Sequence, residues 1–395
     1  MVTTDFTTST TNNDENTKRV QAKLVTVDEL ESCGTRLRQG GLVAFPTETV
    51  YGLGCNALDP AAIIKVFQAK ERPLTDPLIS HVTDNSVAYD LWNADESSLE
   101  GQALRCLCDK FWPGPLTLVA KAATHVPDML MANTGFVACR SPQHPISRAL
   151  INTAKVPIAA PSANKFGHVS PTRSHHVWDD LKFEDVWIVD TDEEETASIC
   201  SIGVESSVAK IEMDDATHGR VTLLRQGAVC VADIEGCLKE AGLMGGFVVE
   251  ARTKRATNET VANVAPGQTI RHYSPNIPSY MLSHKRYERS SDLSSEDRSF
   301  LSKSVVIDFR GKVHQWKDLC IAYRELSETG NSSVATKSVF ETLRWAECVE
   351  NADQILFPEI LENEPGKDDA LVLALKDRLS RAASGVVIDD LQMPA

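Results

Sequence analysis

LVAFPTETVYGLG, residues 42–54, joins an apolar run to a polar segment that contains two glycines. The run Leu42–Phe45 follows a pair of glycines and predicts a short buried strand. The threonines and the glutamate that come next lie at the carboxyl end of that strand, where α/β proteins bind small polar ligands. A glycine-rich turn is the alternative interpretation. The stretch therefore predicts an α/β sheet and one candidate binding segment, Pro46–Gly54.

A helix and several more strands follow this first strand. Asp59 can cap a helix that begins at Pro60, Ile63 and Phe67 supply its apolar face, and the helix is expected to end before Pro73. Further strands are predicted at Leu116–Val119, Val137–Arg140, Val156–Ala160, Val186–Val189, Val208–Ile211 and Val221–Leu224. Strands that alternate with helices indicate an α/β fold. Because not all of the connections are βαβ units, we expect a twisted, mixed sheet.

A second, smaller α/β unit is predicted in the C-terminal third. Its expected elements are strands at Ser304–Phe309 and Gln354–Phe357 and a helix at Asp368–Ala383, whereas Ser290–Ser304 is expected to be an exposed loop. Glycines and polar residues between the two units indicate a linker. The predicted division is a disordered tail at 1–22, a first α/β domain at 23–235, a linker at 236–278 and a C-terminal α/β domain at 279–395.

Composition narrows the class of protein. The chain has 395 residues and a formal net charge of −15, and such an acidic excess opposes tight nonspecific binding of nucleic acid. No apolar run is long enough to span a membrane, and the N-terminus lacks the apolar region of a secretory signal. The ten cysteines are scattered without a C-x-x-C pair, and His175-His176 has no partner at metal-ligand spacing. We therefore expect a cytoplasmic protein with reduced thiols, no zinc site, and a solvated loop at the two histidines.

Two cations, Lys70 and Arg72, lie at the end of the predicted helix. An arginine fork and a lysine point charge that face one cleft suit a phosphate or carboxylate. The helix dipole also favours such residues as plain surface charges, whose removal would cost the fold within about 0.5 kcal/mol. The phosphate-binding loop G-x-x-x-x-G-K-[ST] is absent, and Gly52-Leu53-Gly54 lacks the third glycine of the dinucleotide fingerprint. A phosphate site in this chain would therefore be formed by residues outside these two motifs.

Polar residues end three other predicted strands. Ser162 and Asn164, within Ala159–Asn164, can donate to anionic oxygens, or they can simply cap the next turn. Arg140 and Arg225 each end a strand, where isolated arginines are more often surface residues or partners of acids. These residues stay candidates for an anion site.

In their order along the chain, these segments resemble the YrdC-like family of threonylcarbamoyl-AMP synthases. The matching segments are Pro46–Gly54, Lys70-x-Arg72, Pro77-Leu78-x-x-His81, Phe111–Thr117, Arg140-x-Pro142, Pro161–Asn164 and Ser170-Pro171-Thr172. Pro266-Gly267-x-x-x-Arg271-His272-Tyr273-Ser274-Pro275 resembles the linker of the longer, two-domain members. The chain departs from the family at Ser206–Lys210, where Ser-Thr-Val-Val-Asp is usual. It also has an insertion between Asp190 and Cys200 that carries Glu193–Glu195, which is interpreted as a solvated surface segment.

The resemblance implies a YrdC-like domain with a twisted mixed sheet and flanking helices, followed by a smaller Rossmann-like domain. It implies an L-threonylcarbamoyladenylate synthase, a nucleotidyltransferase that makes threonylcarbamoyl-AMP and pyrophosphate from L-threonine, bicarbonate or CO2, and ATP. Mg²⁺ is expected on the ATP phosphates, without a protein ligand. The product is expected to pass to a tRNA threonylcarbamoyl transferase. Direct tRNA binding is expected to be weak or absent, and no stable membrane contact is expected.

The resemblance also implies roles for individual residues. Those implied for L-threonine are Thr49, His81, Arg140 and Ser206. Those implied for ATP are Arg72, Asp76, Ser162, Asn164, Ser170, Arg225, His272 and Tyr273. Lys70 and Arg72 are implied as the catalytic cations. The linker pair His272-Tyr273 is expected to belong to a lid over the cleft; the alternative is that the linker only docks onto a domain surface.

Three other functions fit parts of this pattern. An RNA-binding module would need a basic face, and the net charge and the absence of an aromatic and basic stacking stretch weigh against it. An enzyme that handles carbamoyl-adenylate would release pyrophosphate without needing L-threonine. A catalytically inactive scaffold is disfavoured because the cations Lys70 and Arg72 and the donors Ser162 and Asn164 are all present.

Overall fold

The computed structural model describes residues 21–191, 200–252, 263, 272–288, 292–361 and 369–392. Several predicted features lie outside these ranges. They are residues 1–20 of the predicted tail, the acidic run Glu193–Glu195, and the linker residues Pro266, Gly267 and Arg271.

The first domain is built on a mixed sheet of eleven strands in the described residues. The strands are β1 (Lys23–Val25), β2 (Leu42–Phe45), β3 (Gly52–Asn56), β4 (Ile79–His81), β5 (Leu116–Lys121), β6 (Phe136–Arg140), β7 (Ile158–Ala159), β8 (Val186–Val189), β9 (Ser207–Met213), β10 (Gly219–Arg225) and β11 (Phe247–Ala251). Their order across the sheet is β1-β8-β2-β3-β7-β4-β6-β5-β9-β10-β11. Pairs such as β4 with β6 are parallel, whereas β2 with β3 and β5 with β6 are antiparallel.

Seven helices of the described residues flank this sheet. They are α1 (Leu30–Arg38), α2 (Pro60–Lys70), α3 (Asn85–Leu91), α4 (Leu99–Phe111), α5 (Pro145–Ala154), α6 (Ser174–Leu181) and α7 (Val231–Glu240). The apolar face of α2 packs with the central strands in one large hydrophobic core. A second cluster, between α1, α5 and the β1–β2 end of the sheet, covers the other face there. Helices thus cover one face of the sheet along the central strands and the other face at the β1–β2 end.

The second domain is a parallel sheet of five strands in the order β14-β13-β15-β12-β16. Its elements are β12 (Ser279–Leu282), α8 (His284–Glu288), α9 (Ser295–Leu301), β13 (Ser304–Asp308), β14 (Ala322–Glu325), α10 (Ser332–Glu347), β15 (Gln354–Pro358), α11 (Ala370–Ala382) and β16 (Val387–Ile388). Helices α10 and α11 close one side of this sheet. The core on that side also includes Val50, Val169 and Val204 of the first domain, so the two domains share apolar contacts.

The α/β fold predicted from the sequence is confirmed. The strand predicted at Leu42–Phe45 has those bounds, and Asp59 Oδ1 accepts a hydrogen bond from the amide of Ala61 at the start of α2. The helix ends at Lys70, where Glu71 adopts a left-handed conformation with φ 56°. The strand predicted at Val186–Val189 also has those bounds, and the other predicted strands of both domains are present with shifted ends; for example, the one expected at Val156–Ala160 is only Ile158–Ala159.

One alternative interpretation is excluded and two local predictions were wrong. Gly52-Leu53-Gly54 forms strand β3 rather than the glycine-rich turn considered as an alternative, and a Cβ at Gly54 would come within 2.8 Å of Ile158 and Phe45. His175 and His176 are on α6 rather than in a solvated loop; His176 is buried, and its Nδ1 accepts from the amide of Thr172. The stretch predicted as a loop contains α9, which Ser294 caps through the amide of Asp297.

The first sheet also extends past the expected domain boundary at residue 235. Helix α7 runs on to Glu240, and β11 pairs in parallel with β10. The glycines at 242, 245 and 246, which suggested a linker, instead connect α7 to β11. Among the described helices, none has both the length and the apolar character that crossing a membrane requires.

Candidate active site

A cleft of about 510 Å³ opens where several strands of the first sheet end. Nine of the residues singled out in the sequence line it: Thr49, Arg72, His81, Arg140, Ser162, Ser206, Arg225, His272 and Tyr273. Polar residues at strand ends converge in this way because neighbouring strands deliver their termini to a common edge.

Arg140, at the end of β6, is the centre of a buried polar cluster. Its Nη1 donates to Thr49 Oγ1 at 2.9 Å, its Nε donates to the Gly114 carbonyl at 3.1 Å, and its Nη2 lies 2.6 Å from Glu48 Oε1. Burial alone would raise the pKa of Glu48, but the arginine beside it holds that pKa below its usual range. Glu48 is therefore ionised, and it orients Arg140 next to the threonine hydroxyl.

His81, at the end of β4, is a neutral imidazole. Burial and the charge of Arg140 lower its pKa to about 3. Its Nδ1 lies 3.3 Å from the carbonyl of Ile158, which can only accept a hydrogen bond. The proton is therefore assigned to Nδ1, and Nε2 is left as an acceptor. At neutral pH this ring can orient a donor such as an amine, but it cannot act as a strong base.

Ser206 and Arg225 form a second polar cluster, where β9 begins and β10 ends. Arg225 Nε donates to the Ser206 carbonyl at 2.9 Å, and Nη2 donates to Ser206 Oγ at 3.1 Å. The same hydroxyl lies 2.7 Å from Thr117 Oγ1 on β5. Because all three side chains are buried, the serine hydroxyl has a fixed position in the cleft wall.

The two cations at the end of α2 are buried, contrary to the expectation of surface charges. Lys70 is 1% exposed and Arg72 is 7% exposed. Lys70 Nζ donates to the carbonyls of Ser162 and Asn164, so it supports the segment after β7 from behind rather than lining the cleft. Burial, together with the neighbouring Arg72, holds the pKa of Lys70 well below its usual value. The local sequence predicts where the helix ends, but it does not predict that the later segment with Ser162 and Asn164 packs over Lys70.

Three other predicted nucleotide residues lie behind the cleft wall rather than in its lining. Asp76 is fully buried and pairs with Arg72 at 2.9 Å. Asn164 Nδ2 donates to the carbonyls of Lys165 and His168, at 2.7 and 2.9 Å. Ser170 Oγ donates to Glu205 Oε1 at 2.5 Å. The ion pair and hydrogen bonds of these three residues position neighbouring residues of the site.

The described part of the linker enters the cleft. His272 and Tyr273 are both buried, their ring centres lie 4.2 Å apart, and both line the cavity. Burial and the nearby arginines hold the pKa of His272 well below its usual value, and its Nδ1 has no hydrogen-bond partner among the described residues. The next residue, Ser274, donates from its amide to the carbonyl of Gly167 at 2.9 Å. The linker therefore contributes to the cleft wall and does more than dock on an outer surface.

Sequence reasoning missed two residues that shape the site: Glu205 lines the cleft, and Arg378 reaches Glu205 from the second domain. Thr47 and Glu48 were included only as members of the candidate segment Pro46–Gly54; Thr47 lines the cleft, and Glu48 pairs with Arg140. No local signal marks Arg378, because α11 shows only the leucine spacing of an ordinary amphipathic helix.

The chemical character of the cleft follows from these groups. Three arginines, Arg72, Arg140 and Arg225, and several hydroxyl groups can bind anionic oxygens, and His272 and Tyr273 close one side. In the part of the chain that the structure describes, no group of three His, Cys, Asp or Glu side chains has the geometry of a metal site. The arrangement suits substrate alignment and charge stabilisation at a phosphorus or carboxyl centre.

Comparisons with known proteins agree with this geometry. A family model described as telomere recombination, which covers the Sua5, YciO and YrdC proteins, matches residues 35–227. The model of the threonylcarbamoyl-AMP synthase C-terminal domain matches residues 229–384. Together they cover most of the described chain.

Individual relatives are similar to this chain in sequence over 60% to 87% of its length. The chain is 30% identical to the threonylcarbamoyl-AMP synthase of Schizosaccharomyces pombe over 87% of this chain and 85% of that one. It is 40% identical to that of Pyrococcus abyssi, over 60% of this chain and 63% of the relative, and 36% identical to that of Bacillus subtilis, over 63% and 65%. The chain thus spans just under two thirds of the last two relatives.

A solved structure supports the same assignment for both domains. The crystal structure of P. abyssi Sua5 complexed with L-threonine superposes with a TM-score of 0.75 at 28% identity, over 93% of this chain and 99% of that one. With both domains matched in sequence and in structure, the chain belongs to the threonylcarbamoyl-AMP synthase family, in the two-domain form that joins a YrdC domain to a Sua5 C-terminal domain.

Proposed function

We propose that this chain makes threonylcarbamoyl-AMP and pyrophosphate from L-threonine, bicarbonate or CO2, and ATP, for the threonylcarbamoyladenosine modification of tRNA. The observation that carries the proposal is one continuous cleft that holds two different polar sets. Thr49, His81 and Arg140 suit an amino acid, whereas Arg72 and His272 suit a nucleotide. An enzyme that joins an amino acid to AMP needs both in contact.

The amino-acid end of the cleft has the groups that L-threonine requires. We place the substrate carboxylate at Arg140 and Thr49, because a guanidinium and a hydroxyl both donate to carboxylate oxygens. His81 Nε2 accepts from the substrate amine, and Ser206 Oγ meets its hydroxyl. The crystallised relative from P. abyssi was complexed with L-threonine, which supports L-threonine as the amino-acid substrate.

The nucleotide end is assigned to Arg72, Arg225, Ser162, His272 and Tyr273. The amine of threonine adds to CO2 and loses a proton to solvent, which gives an N-carboxylate. An oxygen of this carboxylate then attacks the α-phosphorus of ATP, and the bond to pyrophosphate breaks. Arg72 and Arg225 stabilise the negative charge at phosphorus. The unpartnered Nδ1 of His272 is a group that a nucleotide oxygen or amine would satisfy.

Magnesium enters this proposal only as part of the ATP substrate. The two carboxylates closest to the cleft, Glu48 and Glu205, each pair with an arginine. The described residues therefore offer no open carboxylate of the kind that Mg²⁺ prefers. We assign no protein ligand to the metal and route no step through it.

The proposal extends to location and partners. All ten cysteines are free, which is consistent with a reducing compartment, and we propose the cytoplasm. The acyl-adenylate product is labile, so a tRNA threonylcarbamoyl transferase must consume it directly. Nothing in the acidic charge of the chain favours tight binding of tRNA itself.

Pyrophosphate release with each substrate omitted in turn tests this function. We expect release only when ATP, bicarbonate and L-threonine are all present. L-serine is a useful comparison, because it lacks only the methyl group. Equal release without L-threonine would contradict the proposal and favour an enzyme that handles carbamoyl-adenylate.

A further inference from the structure

The segment Gly203–Ser206 lies between the catalytic cleft and the second domain. Glu205 and Ser206 line the cleft. On the other side, Gly203 has φ 77°, and a Cβ there would clash with the backbone of α10 at Thr336. Val204 is fully buried in the core of the second domain. The wall that carries Ser206 is therefore supported by the second domain from behind.

Arg378 on α11 makes the polar part of this support. Its Nε donates to Glu205 Oε2 at 2.8 Å, and its Nη1 donates to the Gln226 carbonyl and to Asp377 Oδ2, both at 2.9 Å. The guanidinium carbon lies 5.2 Å from the ring centre of Tyr273. The side chain is 0% exposed and does not line the cleft. It thus connects β9, β10 and the linker without facing the substrates.

Glu205 and Arg378 are both charged in the folded protein. Burial alone would raise the pKa of Glu205, but Arg378 and Arg225, with a hydrogen bond from Ser170, lower it below its usual range. Burial alone would lower the pKa of Arg378, but Tyr273 and Glu205 raise it. A displaced Glu205 would carry the adjacent Ser206, and with it the donors of Arg225, out of place.

We propose that Arg378 is a positioning residue for the synthase reaction: it fixes Glu205 and thereby aligns Ser206 and Arg225 for the substrates. The inference rests on the proposed function. It gives the second domain a direct role in the cleft, beyond holding the end of the linker. An arginine is needed because its planar fork reaches the Glu205 carboxylate and the Gln226 carbonyl at once.

Steady-state kinetics of the full-length Arg378→Met and Arg378→Lys variants test the proposal. A misplacement of about 1 Å can cost about 10²-fold in rate, so we expect Arg378→Met to lower kcat/KM by about 10- to 100-fold, with a higher KM for L-threonine. Arg378→Lys should recover part of this loss, because an ammonium can reach Glu205 but cannot also span to Gln226. Circular dichroism and urea unfolding confirm that each variant is folded at the assay temperature.

A matched control is Arg286→Met. Arg286 is also a buried arginine of the second domain, and it lies 3.3 Å from Asp297 and near the ring of Trp316, both of the second domain. It should lower stability while the kcat and KM of the folded protein stay unchanged. If Arg286→Met lost as much kcat/KM as Arg378→Met, general weakening of the second domain would explain both, and the proposal would fail.

A double-mutant cycle with Glu205→Gln tests whether Arg378 affects the reaction through Glu205. If Arg378 acts through Glu205, the double variant should be no slower than the slower single variant. Fully additive losses, or a folded Arg378→Met with unchanged kcat/KM for both substrates, would overturn the inference. The proposed function is tested separately, by the activity of the unsubstituted chain. If that chain is active and Arg378→Met has the same kcat/KM, only the inference about Arg378 fails.

Discussion

Arg72 holds the segment 72–77 through three contacts of one guanidinium. Its Nε donates to the Asp76 carbonyl at 3.1 Å, and its Nη2 donates to the Pro77 carbonyl and lies 2.9 Å from the Asp76 carboxylate. Asp76 is fully buried. Removal of the arginine would therefore leave a carboxylate buried without its cation, which is far more costly than the loss of a surface charge.

Arg72→Ala should lower the free energy of unfolding by about 3–5 kcal/mol, the cost of breaking a buried ion pair. Urea unfolding measures this change. Lys110→Ala is a matched control, because Lys110 is also a cation in the last turn of a helix but is half exposed; its effect should stay within about 0.5 kcal/mol. Equal, small effects would show that Arg72 is only a helix-end charge.

Individual residues show where sequence reasoning succeeds. It identified Arg140, His81 and Ser206 as site residues, and the structure brings all three to the cleft. Arg140 was a candidate from its type and its strand-end position, whereas His81 and Ser206 were identified only through the family resemblance. It could not place Lys70 behind the wall, because burial there depends on a segment more than ninety positions later in the chain.

At the scale of elements, the linker is secured by a histidine between two domains. His168 Nδ1 lies 3.0 Å from Asp180, and its Nε2 lies 3.0 Å from Glu347 on α10. Glu347 also accepts from the amide of Asn276 at 2.8 Å. Arg344 pairs with Asp180 at 2.9 Å and opposes the charge on the imidazole. A protonated His168 thus joins the first domain to the second at the point where the linker ends.

This network predicts a pH dependence of stability. Burial alone would lower the pKa of His168, but the two carboxylates raise it to about 9, above the unfolded value of about 6.5. The stabilisation is therefore complete below about pH 6.5 and is lost as the pH rises through about 9. We expect the stability difference between the parent and His168→Gln to shrink from pH 6 to pH 9.5 in urea unfolding.

The control for this prediction is His125→Gln. His125 is a half-exposed histidine whose ion-pair partner, Asp90 at 3.6 Å, lies in the first domain. Its substitution should change the free energy of unfolding within about 0.5 kcal/mol at each pH. A constant difference between His168→Gln and the parent across the range would contradict the assigned protonation.

Elements also show the limits of the sequence. Apolar runs and caps predicted nine of the sixteen described strands and α2, because local patterns determine them. The order of eleven strands did not follow, since it depends on pairings between distant segments. Strand β3 was missed because its two glycines, which suggest a turn, serve close packing against β2 and β7.

For the molecule as a whole, the boundary between the domains decides which truncations are informative. A chain that ends near Ala232 would cut α7 after two residues and remove Ile234 and Leu238 from the first core. It would also remove β11, which pairs with β10. A chain that ends at Arg252 keeps every described strand of the first sheet.

We expect the chain 1–252 to retain the secondary structure of the first domain but to form threonylcarbamoyl-AMP at least 10-fold more slowly than the full chain. It lacks His272, Tyr273 and Arg378 and exposes Val50 and Val204, which pack in the shared core. Circular dichroism and product formation measure the two effects. The chain 1–232 should melt at a lower temperature than 1–252. Full turnover by 1–252 would mean that neither the linker nor the second domain serves the reaction.

The most direct test is the identity of the product of the full chain. Purified protein is incubated with ATP, Mg²⁺, bicarbonate and isotopically labelled L-threonine, and the products are separated and identified by mass spectrometry. The account predicts a labelled threonylcarbamoyl-AMP that forms together with pyrophosphate and depends on all three substrates. ATP consumption that gives an adenylate without the threonine label, or no adenylate at all, would contradict it.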